Sequence, residues 1–216
     1  MKHLKNTVVL NNGVEMPSIG YGVFRITDME ECEEAVYEAI KAGYRLIDTA
    51  SAYENEEVVG RAIGVDNFTQ DRLADFIFFN NIKPAVNLIE CNAFYQRKGD
   101  LDYMNDENIQ MQAWSPLAAG NAVLFDNPLL QQLGQKYNKS VPQIVLRWLT
   151  ERGIVPLVKS VKPERIQENI DVFDFTLSQE DMDMIATLDT EHSCFPPRNS
   201  GNYVQNFLME AQKYRV

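Results

Sequence analysis

Asp48 and Tyr53 lie five positions apart in the stretch Asp48-Thr49-Ala50-Ser51-Ala52-Tyr53, directly after an apolar run. A tyrosine in such a loop can be the general acid of a carbonyl reduction, passing its proton to the alkoxide that forms. Its ordinary pKa is about 10, so at neutral pH it needs a neighbouring cation to stabilise the phenolate. An aspartate closing a turn and a tyrosine packed at a rim is the plain structural alternative.

A second group begins at Lys159-Ser160-Val161 and runs through Lys162-Pro163 to Arg165, Glu168 and Asn169. An apolar run delivers Lys159 and Ser160 to a helix start, where free backbone N–H groups bind anions. Arg165 can fork onto a phosphate or stack on an adenine. Glu168 and Asn169 follow one turn later and can hydrogen-bond an adenine amine. The set suits an adenosine 2'-phosphate, and equally a solvated basic helix start. Third, Trp114 in Trp114-Ser115-Pro116-Leu117 offers an aromatic face at a strand end, for a nicotinamide ring or for core packing.

Other chemistries find little support. There is no GxxxxGK[ST], GxSxG or HExxH motif. The histidines, His3 and His192, both lie near the chain ends, which gives a Ser–His–Asp triad little support. Cys32, Cys91 and Cys194 form no CxxC pair, so neither a metal site nor a disulfide framework is expected. The 216 residues carry 20 Lys and Arg against 31 Asp and Glu, a net charge of -11 that disfavours nucleic acid. No apolar run approaches the roughly 18 residues of a membrane span, and the N-terminal apolar stretch is too short for a signal peptide. A cytoplasmic protein of one domain, 1–216, is expected.

The elements that must position these residues alternate between short apolar runs and helical patterns, as in βα units on a parallel sheet. Thr27-Asp28-Met29-Glu30 reads as a capping box opening a helix that Gly43 ends. Tyr44–Thr49, Pro84–Glu90, Ile109–Trp114 and Ile154–Ser160 read as strands. Asn127 with Pro128, Ser140, and Ser178 with Asp181 read as helix starts. The segment from Lys162 to Asn169 reads as helical, and no periodicity marks the chain from Glu191 on. Asp48, Asp66-Asn67, Glu90, Trp114-Ser115 and Lys159-Ser160 all fall at strand ends, the chemical face of a (β/α) barrel. A doubly wound sheet usually carries a complete glycine-rich turn, and Gly20-Tyr21-Gly22 lacks the third glycine. The barrel is therefore preferred.

Together these segments resemble the aldo-keto reductase family, especially bacterial diketogluconate-reductase-like members. The resemblance runs through Gly20-Tyr21-Gly22-Val23-Phe24, RLIDTASAYENEEVVGRAIG, GVDNF, PAVNLIEC, QAWSPLAAG, VLRWLTERGIVPLVKSVKPERIQEN and LSQEDMDMIATLD. It implies a TIM barrel, NADP(H) as cofactor, and reduction of small aldehydes or ketones by a protein that is monomeric. Asp48 and Tyr53 match two of four catalytic residues. Lys159, Ser160, Val161, Arg165, Glu168 and Asn169 match the site for the 2'-phosphate and adenine. Trp114 matches the nicotinamide-stacking aromatic and Asn67 a carboxamide contact. Gly22, Val23, Phe24, Asp48, Ser115 and Leu117 complete the implied cofactor site.

The resemblance also locates a gap. Arg61-Ala62-Ile63-Gly64 runs straight into Val65-Asp66-Asn67-Phe68, which resembles the end of the family's fifth strand. One segment thus serves two places in the pattern. On the order of 80 residues around the third and fourth strands are missing, at about 31 residues per βα unit. The expected fold is a barrel truncated to about six strands, with edges open to self-association unless its second and fifth strands pair. The family's catalytic lysine and histidine have no counterpart. Asp66 stands where the family usually has serine, and Leu88 where it usually has glutamine. The implied function is an NADPH-dependent carbonyl reductase with lost or impaired activity. A non-catalytic NADP(H)-binding protein and a non-functional truncated form are the alternatives.

Overall fold

The computed structural model describes residues 6–23, 26, 29–48, 64–79 and 83–195. Tyr53, Phe24, the Thr27-Asp28 helix start, Thr49 and the Arg61-Ala62-Ile63 segment lie outside the described residues.

A hairpin comes first, β1 (Thr7–Val9) and β2 (Glu15–Pro17), paired antiparallel. Six parallel strands follow: β3 (Gly20–Gly22), β4 (Ile47–Asp48), β5 (Gly64–Asp66), β6 (Val86–Glu90), β7 (Gln110–Trp114) and β8 (Val155–Val158). Their order in the sheet is β4-β3-β8-β7-β6-β5. Helices connect them on one side: α1 (Met29–Ala42), α2 (Gln70–Phe79), α3 (Lys98–Asp106), α4 (Ala122–Phe125), α5 (Pro128–Tyr137), α6 (Val141–Glu151), α7 (Pro163–Ile170) and α8 (Gln179–Ala186). The strands form a curled, truncated TIM-barrel sheet. Among the described residues β4 pairs only with β3 and β5 only with β6, so the second and fifth barrel strands leave two edges rather than closing on one another.

The helix boundaries follow local chemistry. Gly43 ends α1 at φ 112, and its N–H, with that of Tyr44, returns to the last helical carbonyls. The Asn127 side chain accepts from Leu129 and Leu130 N–H, with Pro128 in the first turn. Ser140 and Gln143 cap one another's backbone at the start of α6. The sequence-predicted strands are longer than those observed. Of Tyr44–Thr49 only Ile47–Asp48 is in the ladder among the described residues, because Tyr44 and Arg45 complete the turn out of α1. Lys162 caps α7 rather than belonging to it.

Alternation along the strands separates two faces. The outward face carries Tyr21, Ile89, Met111, Ala113 and Val158 into apolar layers under the helices. The inward face is floored by the hairpin, where Leu10 and Met16 pack with Ala85 and Val155. Gly20 is required here: a Cβ would run into the side chains of Leu157 and Leu46.

Candidate active site and cofactor-binding rim

Register decides which side chains share the mouth of the sheet. Gly22 pairs with Asp48, Asp66 with Leu88, Leu88 with Gln112, and Glu90 with Trp114. In a parallel ladder paired residues point the same way. Asp48, Asp66, Glu90 and Trp114 therefore stand on the inward face at the C-terminal ends of four strands. Gly22 leaves room for Asp48, whose Oδ2 would lie 3.8 Å from a Cβ at that position. Lys159 follows β8 at the same rim.

Asp48 is half-buried, and burial pushes its carboxyl up to about 6, with the Asp66 carboxylate adding to the effect. Asp66 also accepts from Asn67 Nδ2 at 2.9 Å. Asn67 Oδ1 in turn accepts from the Trp114 indole N–H at 2.9 Å. Asn67 adopts φ 55, a region asparagine tolerates better than most residues. The loop after β7 holds three more such residues, Ser115, Ala118 and Ala119, each at φ near 50. Backbone of this kind clusters at functional sites.

The tail after α8 crosses the same rim. Buried Glu90 accepts from the Ser193 hydroxyl and from Cys194 N–H at 3.0 Å. Phe195 packs against Trp114, ring centroids 5.2 Å apart. Phe195 opens the stretch Phe195-Pro196-Pro197-Arg198. Its residues 196–198 lie outside the described residues. His192 places Nδ1 2.5 Å from the Thr190 carbonyl oxygen, on the exposed side of this tail.

The basic group lies at the start of α7. Lys159, Lys162 and Arg165 are exposed and form no ion pair with another described residue. Ser160 is buried, and its Oγ accepts from Lys162 N–H at 3.1 Å. Val161 is half-buried, Glu168 half-buried and Asn169 buried in the same helix and turn. Val23 is buried beside Gly22, and Leu117 packs partly into both outer apolar layers. Asp48, Asp66, Asn67 and Trp114 are thus brought to one mouth.

The aldo/keto reductase family model matches residues 18–76 and 61–190. The chain belongs to the aldo/keto reductase family. The two matched stretches share residues 61–76, so one segment of this family member does answer to two places in the pattern. Glyoxal reductase of Bacillus subtilis (strain 168) is 36% identical over 267 residues, covering 89% of this chain and 96% of the relative. That alignment is longer than this 216-residue chain, so the relative carries residues that this member lacks. An aldo-keto reductase from a Medee basin deep-sea metagenome library, MGS-M4, matches with a TM-score of 0.84 at 30% identity, over 89% of this chain and 98% of its own. The aldo-keto reductase AKR2E5, solved with NADPH, matches with a TM-score of 0.81 at 26% identity, over 91% of each chain. No described helix is long and apolar enough to cross a membrane.

Tyr21 and Glu90 stand in segments that the sequence marks, Gly20-Tyr21-Gly22 and the end of a strand, but their contacts with the basic turn and the tail are made only through folding.

Proposed function

We propose that this chain is an NADPH-dependent oxidoreductase acting on small aldehydes or ketones, with the cofactor's adenosine end well provided for and the proton-donating centre impaired. The observation that carries the reading is the set of three exposed cations at the start of α7, none of them ion-paired with another described residue, in a chain of net charge -11. Lys159 and Arg165 supply charge for a 2'-phosphate, and the Val161 backbone an N–H. Glu168 and Asn169 serve the adenine. Trp114, steadied by Asn67, offers its face to the nicotinamide, and the resemblance adds Gly22, Val23, Phe24, Ser115 and Leu117 to the cofactor site.

The bound cofactor would supply a hydride to the carbonyl carbon. The carbonyl oxygen then needs a proton, which the family resemblance assigns to Tyr53. In the arrangement the resemblance implies, a charged Asp48 beside that phenol would raise its pKa instead of lowering it, because a carboxylate opposes phenolate formation. With no lysine to reverse this, turnover falls by about two to four orders of magnitude. The test is NADPH oxidation by the purified chain with glyoxal-type aldehydes. Slow, saturable turnover supports the reading. A rate equal to that of the Bacillus glyoxal reductase refutes the impairment, and no NADPH binding refutes the whole reading.

A further inference from the structure

We propose that Tyr21 is a positioning residue for the phosphate-binding turn, its buried hydroxyl holding the Ser160 carbonyl so that the next N–H faces an adenosine 2'-phosphate. The inference rests on the reading of that turn given above. Tyr21 and Val158 pair in register between β3 and β8, which sets the Tyr21 ring below the chain as it leaves β8. The side chain is 1% exposed and lies in the layer between the sheet, α1 and α7. Its hydroxyl donates to the Ser160 carbonyl oxygen.

That bond fixes a peptide plane. In a trans peptide the carbonyl and the following N–H point in opposite directions, and the described chain contains no cis bond. With the Ser160 carbonyl drawn into the core, the Val161 N–H points away from it. Among the described residues it finds no hydrogen-bond acceptor. A second bond, from Lys162 N–H to Ser160 Oγ, closes the turn from the other side. Lys159, Lys162 and Arg165 surround it with exposed positive charge. Burial pushes the Tyr21 phenol up to about 12, with the Cys32 thiol adding to the shift, so the hydroxyl keeps its proton and donates across the working pH range.

Tyr44 provides an internal control. Its ring meets the Tyr21 ring edge-on, centroids 5.6 Å apart. It is equally buried, but its hydroxyl has no hydrogen-bond partner among the described residues. Tyr44→Phe therefore makes the same chemical deletion in the same layer without touching the turn.

The experiment titrates the full chain, Tyr21→Phe and Tyr44→Phe with adenosine 2',5'-bisphosphate and with 5'-AMP by calorimetry. Tyr21→Phe is expected to bind the bisphosphate roughly five- to tenfold more weakly, the scale of one hydrogen bond, and 5'-AMP as before. Tyr44→Phe is expected to leave both affinities unchanged. Bisphosphate affinity unchanged in Tyr21→Phe, or equal loss of both ligands, overturns the proposal while the reading of the turn stands. A wild-type chain that does not prefer the bisphosphate overturns that reading itself. Amide exchange on the wild type tests the same arrangement without a variant. The Val161 amide should exchange fast in the free chain and be protected by the bisphosphate. Protection already complete without ligand, or none with it, overturns the proposal.

Discussion

At the residue scale, Asp48 gives the mouth its pH dependence. Burial, helped by Asp66, raises its carboxyl from 3.8 to about 6. A group raised in the folded state contributes its full stability below its unfolded pKa and loses it as pH rises through the folded one. Asp48 should therefore withdraw on the order of 1–3 kcal/mol of stability between about pH 4 and pH 6. Urea unfolding across that range should show this loss in the wild type and not in Asp48→Asn; parallel curves would refute the assignment. Asp66→Asn should shrink the effect, since only the smaller cause is removed. Asp48 was legible as a site residue from its strand-end position and motif. Its coupling to Asp66 was not, because it depends on how far the two sheet edges curl toward each other.

At the scale of elements, α6 and α8 hold the outer layer. In α6 the residues Ile144, Val145, Leu146, Trp148 and Leu149 are all buried. Trp148→Ala should cost about 3–5 kcal/mol, the range for losing a buried aromatic. Ser140→Ala should cost about 1 kcal/mol through the capping box. Chemical denaturation of the two variants checks both, and a Trp148 effect no larger than the cap's would contradict the packing. Buried Asp181 ties α8 to α5. Burial alone would raise its pKa, but Lys136, Tyr137 and Ser178 all donate to it and hold it at about 2. Here the sign is opposite: its contribution is present above about 3.8 and is lost as pH falls toward 2. Asp181→Asn should flatten the acid limb of the wild-type stability profile, and an unchanged limb would exclude this role. The caps were readable because each is a local pattern within four residues. The hairpin β1–β2, α2 and α3 went unread, because their short or polar segments gain order from packing on distant residues rather than from their own period.

For the whole molecule, the open sheet makes two expectations testable. Excess NADPH at 100 times its Kd should stabilise the chain by about 2.7 kcal/mol, raising Tm by roughly 5–10 °C. A cooperative melt with no shift would mean that the cofactor site did not survive the missing strands. The edge strands are short, and in their described residues each carries an inward carboxylate, Asp48 or Asp66. Inward charge on a short edge discourages pairing between chains. Sedimentation at micromolar concentration should give a monomer, and a dimer that dissociates in Asp48 or Asp66 variants would show that the edges pair instead.

The sequence by itself determined the family, the parallel βα order, the starts of α5, α6 and α8, and the strand-end places of Asp48, Asp66, Glu90 and Trp114. These reside in local motifs, in period-two and period-3.6 patterns, and in the choice of residue at strand ends. Only the tertiary structure decided that β4 and β5 stand apart as edges among the described residues. It alone decided that Asn67 steadies Trp114, that Glu90 pins the tail, and that Tyr21 reaches the Ser160 carbonyl across 139 positions. Such contacts join residues remote in sequence. Their partners are chosen by register and sheet curvature, which no local pattern encodes.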